Sequence, residues 1–179
     1  NELLANNIQP MITLHHFTHP QWFEQLGAFE KEENIKHFVE FSKLVFARYS
    51  ERVKFRVTLN EPNVFVTSAY FNTPFPPGKA NSKLGAEVLK NMLKAHVEVY
   101  RELKSGQLSV VGGQENKDQT PKTEVQIGLA TSIFQFEPYR RWHLGDWTIA
   151  RIGSNTFNES VLGFFRSGTM KFYVPLDVD

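Results

Sequence analysis

Along Lys54-Phe-Arg-Val-Thr-Leu-Asn-Glu-Pro62, the apolar residues Phe55, Val57 and Leu59 alternate with Lys54, Arg56 and Thr58. Period two predicts an extended strand, and Pro62, which has no amide proton to donate, stops the ladder. Asn60 and Glu61 therefore stand where a strand ends. A similar stretch, Met11-Ile-Thr-Leu-His-His-Phe17, follows Pro10, with Ile12, Leu14 and His16 on one face and a polar and aromatic cluster, His15 to His19, at its end. Glu124-Val-Gln-Ile-Gly-Leu-Ala-Thr-Ser132 reads as a third strand. The first residues, through Asn7, read as the end of a helix, with Asn6 or Asn7 suited to the left-handed backbone that closes one. A helix end at the very start, at Asn1 rather than Met, leads us to expect further residues upstream.

Between the strands the period lengthens. Pro20 to Leu26 reads as a short helical turn ended by Gly27. Ile35, Phe38, Val39, Ser42, Val45, Phe46 and Tyr49 then form the stripe of a helix packed on one side, with Glu30, Glu32 and Glu33 at its start and Arg48 near its end, the signs the helix dipole favours. Gly85 to Leu103 places Val88, Leu89, Met92, His96, Tyr100 and Leu103 on one stripe; His96 is read as a buried, hydrogen-bonded core residue. Leu144 to Phe165 predicts another helix, through Trp147, Ile149, Ile152, Phe157, Val161, Leu162 and Phe165. Thr73-Pro-Phe-Pro-Pro-Gly78 is too broken for regular structure, and the polar stretch from Ser105 to Lys122 reads as a surface connection.

Strand, helix and strand in succession form a βαβ unit and hence a parallel sheet. Neither Leu14-His-His-Phe17 nor Leu59-Asn-Glu-Pro62 supplies the glycine-rich turn that a dinucleotide fold places after its first strand. Long loops at the strand carboxyl ends favour an eight-stranded barrel, of which three strands are only a part. The class is therefore α/β, a partial barrel.

Composition narrows the chemistry. With 41% apolar and 13% aromatic residues among 179, the chain can bury a core. One domain, or part of one, is expected. Lys and Arg number 20 against 19 Asp and Glu, with no run of like charge, so nucleic acid and anionic membranes are not indicated as partners. There is no cysteine, which excludes disulfides and thiolate metal sites and leans towards the cytoplasm. No apolar run reaches the length of a membrane span.

In a parallel barrel, side chains from several strand ends converge on one pocket, which gives Asn60 and Glu61 a possible chemical role. The residues alone leave a second reading open: Asn60 as the cap of a helix opening near Pro62, with Glu61 in its first turn.

Thr13-Leu-His-His-Phe-Thr-His-Pro-Gln-Trp-Phe23, followed by Arg52-Val-Lys-Phe-Arg-Val-Thr-Leu-Asn-Glu-Pro62, closely resembles glycoside hydrolase family 1, the β-glucosidase family. Ala95-His96 with Tyr100, Gln126-Ile-Gly128, and Phe164-Phe165 followed by Gly168 extend the resemblance over most of the chain. It implies a retaining β-glycosidase on a (β/α)8 TIM barrel, of which residues 1–179 are the central part. It further implies Glu61 as the acid/base carboxylate, Asn60 as the partner of the sugar 2-hydroxyl and His16 as the ligand of a glycone hydroxyl. Cleaving an acetal needs a proton delivered to the departing oxygen, which a carboxylic acid can supply, and an amide bond to the 2-hydroxyl that strengthens in the transition state lowers the barrier. Aromatic faces suit sugar rings. Phe17 is the candidate there, whereas Trp22 is read as core packing with a sugar platform as its alternative.

Two departures stand out. The family usually has Trp and Asp after this histidine, where the chain has Phe17 and Thr18. A retaining mechanism also needs a second carboxylate about 5 Å from the first. The Thr-Glu-Asn-Gly-like motif that carries it in the family is absent here, and Asn1-Glu2, Asn158-Glu159 and Glu115-Asn116 are not substitutes. The segment by itself is thus expected to be inactive, a fragment holding the acid/base half of the site. A carbohydrate or glycoside substrate, plain or phosphorylated, is implied, with no metal or organic cofactor. The alternatives are a non-catalytic carbohydrate- or glycolipid-binding protein on the same barrel, against which an intact Asn60-Glu61 pair argues, and an interaction domain in which Glu61 only caps a helix.

Overall fold

A computed structural model describes residues 2–49, 52–72, 74–106 and 125–168. Helix α1 (Glu2–Ala5) closes through Asn7, whose φ of 58° is the left-handed conformation expected there. Strand β1 (Met11–His15), helix α2 (Gln21–Gln25), helix α3 (Ile35–Arg48) and strand β2 (Phe55–Asn60) follow. Helix α4 (Pro62–Val66), continued by one wide turn from Thr67 to Phe71, leads to helix α5 (Ser82–Gly106). Strand β3 (Gln126–Ala130) precedes helix α6 (Leu144–Ser154), a second wide turn and helix α7 (Ser160–Ser167). The acidic residues placed at the start of the third helix lie instead in two short 3-10 turns, Ala28–Glu30 and Glu32–Asn34, ahead of it. Helix α5 runs on to Gly106, past the expected start of the polar connection. The rest of that connection, with Glu115 and Asn116, lies outside the described residues, as do Asn1 and Thr73.

The strands form one parallel sheet in the order β1-β2-β3. Sequential neighbours without a reversal of order are the arrangement of a barrel wall. The chain divides into two compact units, Asn1–Asn60 with Lys94–Ala130 and Glu61–Leu93 with Thr131–Asp179.

In the first unit, the sheet and α3 enclose a core of Phe23, Phe29, Ile35, Phe38, Phe46 and Leu59. Burial along β2 does not follow its alternation of apolar and polar residues, although Leu59 is fully buried. Arg56 and Thr58 are buried, whereas Phe55 and Val57 are only half-buried. Both polar side chains have matched partners, which is what makes burial affordable. Arg56 lays its guanidinium 4.8 Å from the ring centre of Phe46 and donates from Nε to the Val53 carbonyl at 3.2 Å. Thr58 Oγ1 lies 2.7 Å from His96 Nδ1 of α5 and also donates to the Gly128 carbonyl at 3.3 Å. His96 is thus the buried, hydrogen-bonded residue that its stripe predicted.

On α5, Val88, Leu89, Met92 and His96 are buried as expected, but Tyr100 is exposed and the stripe continues through Leu93, Ala95 and Val99. In the second unit, Phe65, Val66, Ala69, Tyr70, Val161 and Phe164 are buried. The long carboxyl-terminal helix is α6 and α7 joined by the wide turn Asn155–Glu159. That extra residue per turn rotates the later face relative to the earlier one. Trp147, Ile149 and Phe165 lie exposed, against expectation, while Ala150, Asn158 and Ser160 are buried.

Replacing Thr58 by Val removes both hydroxyl bonds while keeping the shape, and is expected to cost about 1–3 kcal/mol of stability. Chemical denaturation of the two forms measures it.

Candidate active site

The carboxyl ends of β1 and β2 are built differently from their middles. Val57 pairs with Gly128 and Asn60 with Ala130, three steps along β2 against two along β3. This bulge re-aims the end of β2. Glu61 follows at φ 44° and ψ 58°, left-handed backbone that a side chain with a Cβ adopts only under strain. Pro62 then opens α4, and the first helical bond runs from the Phe65 amide to the Glu61 carbonyl at 3.0 Å.

Glu61, not Asn60, is therefore the residue at the helix cap, and its side chain makes no capping bond. Its carboxylate turns elsewhere: Ser132 Oγ donates to Glu61 Oε1 at 2.6 Å. Ser132 is itself held through its backbone. Asn63 Nδ2 donates to the carbonyls of Ser132, at 3.3 Å, and Phe157, at 3.2 Å, while Thr131 Oγ1 donates to Asn63 Oδ1 at 3.3 Å. Asn63 is buried and α4 fixes it, so the anchor of the carboxylate's partner is rigid. Sequence reading missed Ser132, Thr131 and Asn63 as parts of the site. The sequence reading placed Thr131 and Ser132 inside the third strand, which ends instead at Ala130, so their position just past a strand end was hidden.

Asn60 is half-buried at the end of β2. In the same unit His16 is exposed just after β1, and Phe17, half-buried and itself left-handed at φ 67°, meets its ring edge to face at 5.1 Å. His16 and Phe17 are brought together; Glu61 and Ser132 form a separate pair.

The neighbouring imidazole, His15, is the buried one. It stacks on His19, with Nε2 3.4 Å from His19 Nδ1, and meets Phe29 edge to face. His19 Nε2 in turn lies 2.7 Å from Glu24 Oε2. Burial first, then repulsion from His19 and His16, pushes His15 down to about 3, and burial pushes His96 down to about 4. Trp22 is not core packing: it is 53% exposed, because Phe23 and not Trp22 turns inward from the short helix α2. Among the described residues, no group of three or more His, Asp or Glu side chains is placed to hold a metal ion, and no helix is long and apolar enough to cross a membrane.

A parallel barrel wall with a strained carboxylate where a strand ends belongs to the class of β/α-barrel proteins that carry their chemistry at the strand carboxyl ends. Comparison with known proteins narrows the class. The chain belongs to glycosyl hydrolase family 1, whose model matches residues 1–147. It is 30% identical over 168 residues to human lactase/phlorizin hydrolase, covering 88% of the chain and 8% of that protein. It is 34% identical over 122 residues to 6-phospho-beta-galactosidase from Clostridium acetobutylicum, covering 65% and 26%. The solved structure of a beta-glycosidase from Pyrococcus horikoshii superposes with a TM-score of 0.80 at 31% identity, over 97% of this chain and 36% of that one. The fold is accordingly a partial TIM barrel, and the chain spans about a third or less of these relatives.

The two buried histidines make stability depend on pH. Both stay neutral in the folded chain well below 6.5, the value they regain on unfolding, so the unfolded state binds more protons under acid. Their contribution is expected to be complete above pH about 6.5, to fall by up to two protons' worth of slope as pH drops towards about 4, and to level off below about 3. Denaturation midpoints across that range, in wild type and His96→Gln, measure the loss; the variant is expected to show the shallower slope.

Proposed function

We propose that the protein is a retaining β-glycosidase in which this chain supplies the acid/base half of the site. Residues 1–179 are then the central part of one glycosidase barrel. The reading rests on the Glu61 carboxylate, which ends the central strand in strained backbone and is held by a hydroxyl instead of capping the helix behind it. A residue kept only as a cap would bond the free amides of α4.

Glu61 delivers a proton to the departing glycosidic oxygen as positive charge develops on the ring, and later takes one from the water that attacks the glycosyl-enzyme. Ser132 occupies Oε1 as a donor, which leaves Oε2 as the oxygen that carries the transferred proton. Asn60 bonds the sugar 2-hydroxyl, an interaction worth most in the transition state. His16 binds a glycone hydroxyl, and Phe17, edge-on to it, offers an apolar face to the ring. The nucleophile, a second carboxylate about 5 Å from Glu61, comes from outside this chain, so the chain alone is inactive. The substrate is a β-linked glycoside. The names of the relatives span both plain and phosphorylated sugars, and the protein acts in the cytoplasm. An intact proton donor favours catalysis over carbohydrate binding without turnover.

In the complete protein, Glu61→Gln is expected to lower kcat/KM on substrates with poor leaving groups by about 10²–10⁴ while sparing those with activated ones. Equal loss on both classes overturns the acid role. Ser132→Ala is expected to lower kcat on poor leaving groups about tenfold with KM little changed, and Ser132→Thr, which keeps the donor, to restore most of it. A loss confined to KM would contradict positioning of Glu61 by Ser132.

A further inference from the structure

In the wide turn Asn155–Glu159 that joins α6 to α7, the Ser160 amide donates to the Asn155 carbonyl, five residues back instead of four. Single turns of this kind are rare in helices and frequent at functional sites. Two residues of this one reach the segment that carries Ser132. Asn158 Oδ1 accepts from the Phe134 amide at 3.0 Å, and Asn158 Nδ2 donates to the Phe134 carbonyl at 2.8 Å and to Ser154 Oγ at 3.2 Å. The Phe157 carbonyl accepts from Asn63 Nδ2 at 3.2 Å, and the same Nδ2 donates to the Ser132 carbonyl at 3.3 Å.

We propose that Asn158 is a positioning residue for the acid/base carboxylate: it fixes the segment on which Ser132 sits, so that the Ser132 hydroxyl meets Glu61. The proposal rests on the acid/base role given to Glu61. Ser132 needs the support, because it lies two residues past the last rung between β2 and β3, where Asn60 pairs with Ala130. The ladder no longer dictates its place. Asn63 holds Ser132 at its carbonyl, and Asn158 holds Phe134, two residues on, at both main-chain polar groups, as a paired strand residue would.

These links close a circuit. It runs from Asn63 to Ser132, along the main chain to Phe134, across to Asn158, back one residue to Phe157 and from that carbonyl to Asn63 again. An open chain of bonds can swing at its free end, whereas a closed one has no free end. Asn63 and Asn158 are both buried, where a lost bond is not replaced by one to water, and a satisfied buried network of this kind is rigid. Every member belongs to the second unit, so the circuit is complete without the rest of the barrel. Apolar contacts repeat the attachment. Phe134 meets Phe157 edge to face at 5.0 Å and 83°, and the Phe136 ring occupies the space beside Gly153, where an added Cβ would come within 2.7 Å of it. Because Asn158 acts on Glu61 only through Ser132, its removal is expected to lower the rate by no more than removal of the Ser132 hydroxyl does, about tenfold.

The test is steady-state kinetics of the complete protein on β-glycosides with poor and with activated leaving groups, with a thermal unfolding midpoint for each variant. Asn158→Ala is expected to lower kcat about five- to tenfold on poor leaving groups and less than about twofold on activated ones, with KM little changed. Added to Ser132→Ala, it is expected to lower kcat by less than about twofold more, since both substitutions act on one bond. Asn158→Asp has the same shape and keeps the bond from the Phe134 amide; it is expected to show the same split at smaller size, and it carries the test if the alanine variant does not fold. Equal loss on both substrate classes, or losses that multiply with Ser132→Ala, would assign Asn158 to stability alone and overturn the proposal. A crystal structure of the folded variant gives a readout independent of activity: the separation of Ser132 Oγ from Glu61 Oε1 is expected to exceed about 3.5 Å, and an intact bond overturns the proposal. If Glu61→Gln shows no leaving-group split, the acid role fails by itself, and that separation still decides whether Asn158 positions the pair.

Discussion

The hydrogen bond from Ser132 to Glu61 is the constraint from which the arrangement of the second unit's chemistry follows. A carboxylate at a left-handed position has two places to go: back onto the free amides of the helix that begins behind it, or forward to another donor. The first choice would stabilise α4 by the ordinary energy of a cap. The second gives that up, and it is observed. It requires a donor at a fixed place, and Asn63 provides it by holding the Ser132 backbone while accepting from Thr131. The helix that lost its cap thus contributes the anchor, through its second residue.

Histidine plays a contrasting part in the first unit. His15 and His96 are both buried and both held neutral, one in a stack with His19 against Phe29, the other against Thr58. Neither needs charge to do its work, and each would destabilise the fold by acquiring it. His16, one residue from His15, is exposed. Two adjacent imidazoles therefore divide into a structural and an accessible one, because the strand ends between them and only one of two successive side chains can face the core.

The strand-helix order, the parallel sheet and the strand end at Asn60 were legible because they rest on period and on proline, which act locally. Trp22 was misread because apolar character marks which residues can be buried, not which of two neighbours in a five-residue helix turns inward; Phe23 does. Trp147 and Ile149 were misread because an apolar stripe marks a face that can be buried, whereas in α6 only Ala150 is. The alternation in β2 did not tell which side chains are buried, because Arg56 and Thr58 are buried against partners on flanking helices, Phe46 and His96. Ser132 escaped notice for the same reason: its role depends on a partner 71 positions away. Asn60 and Glu61 were singled out by the strand end and Phe17 by its aromatic face, whereas His16 and the particular roles of Asn60 and Glu61 came through family resemblance, which carries information about long-range partners that periodicity lacks.

Among the described residues, four other than glycine have left-handed backbone, and two of them, Phe17 and Glu61, lie just after β1 and β2. Glycine would relieve the strain at either position, but it would also delete the side chain. Where a strand must turn sharply and still present a side chain at the turn, the strain is the cost of keeping that group. Asn7, by contrast, closes a helix, where its conformation is common for its type and its backbone amide donates to the Leu4 carbonyl. The same backbone angle therefore has two meanings in this chain. At Asn7 the local geometry selected the residue; at Glu61 the residue is held in spite of the geometry, by a chain of hydrogen bonds that runs through Ser132 to Asn63.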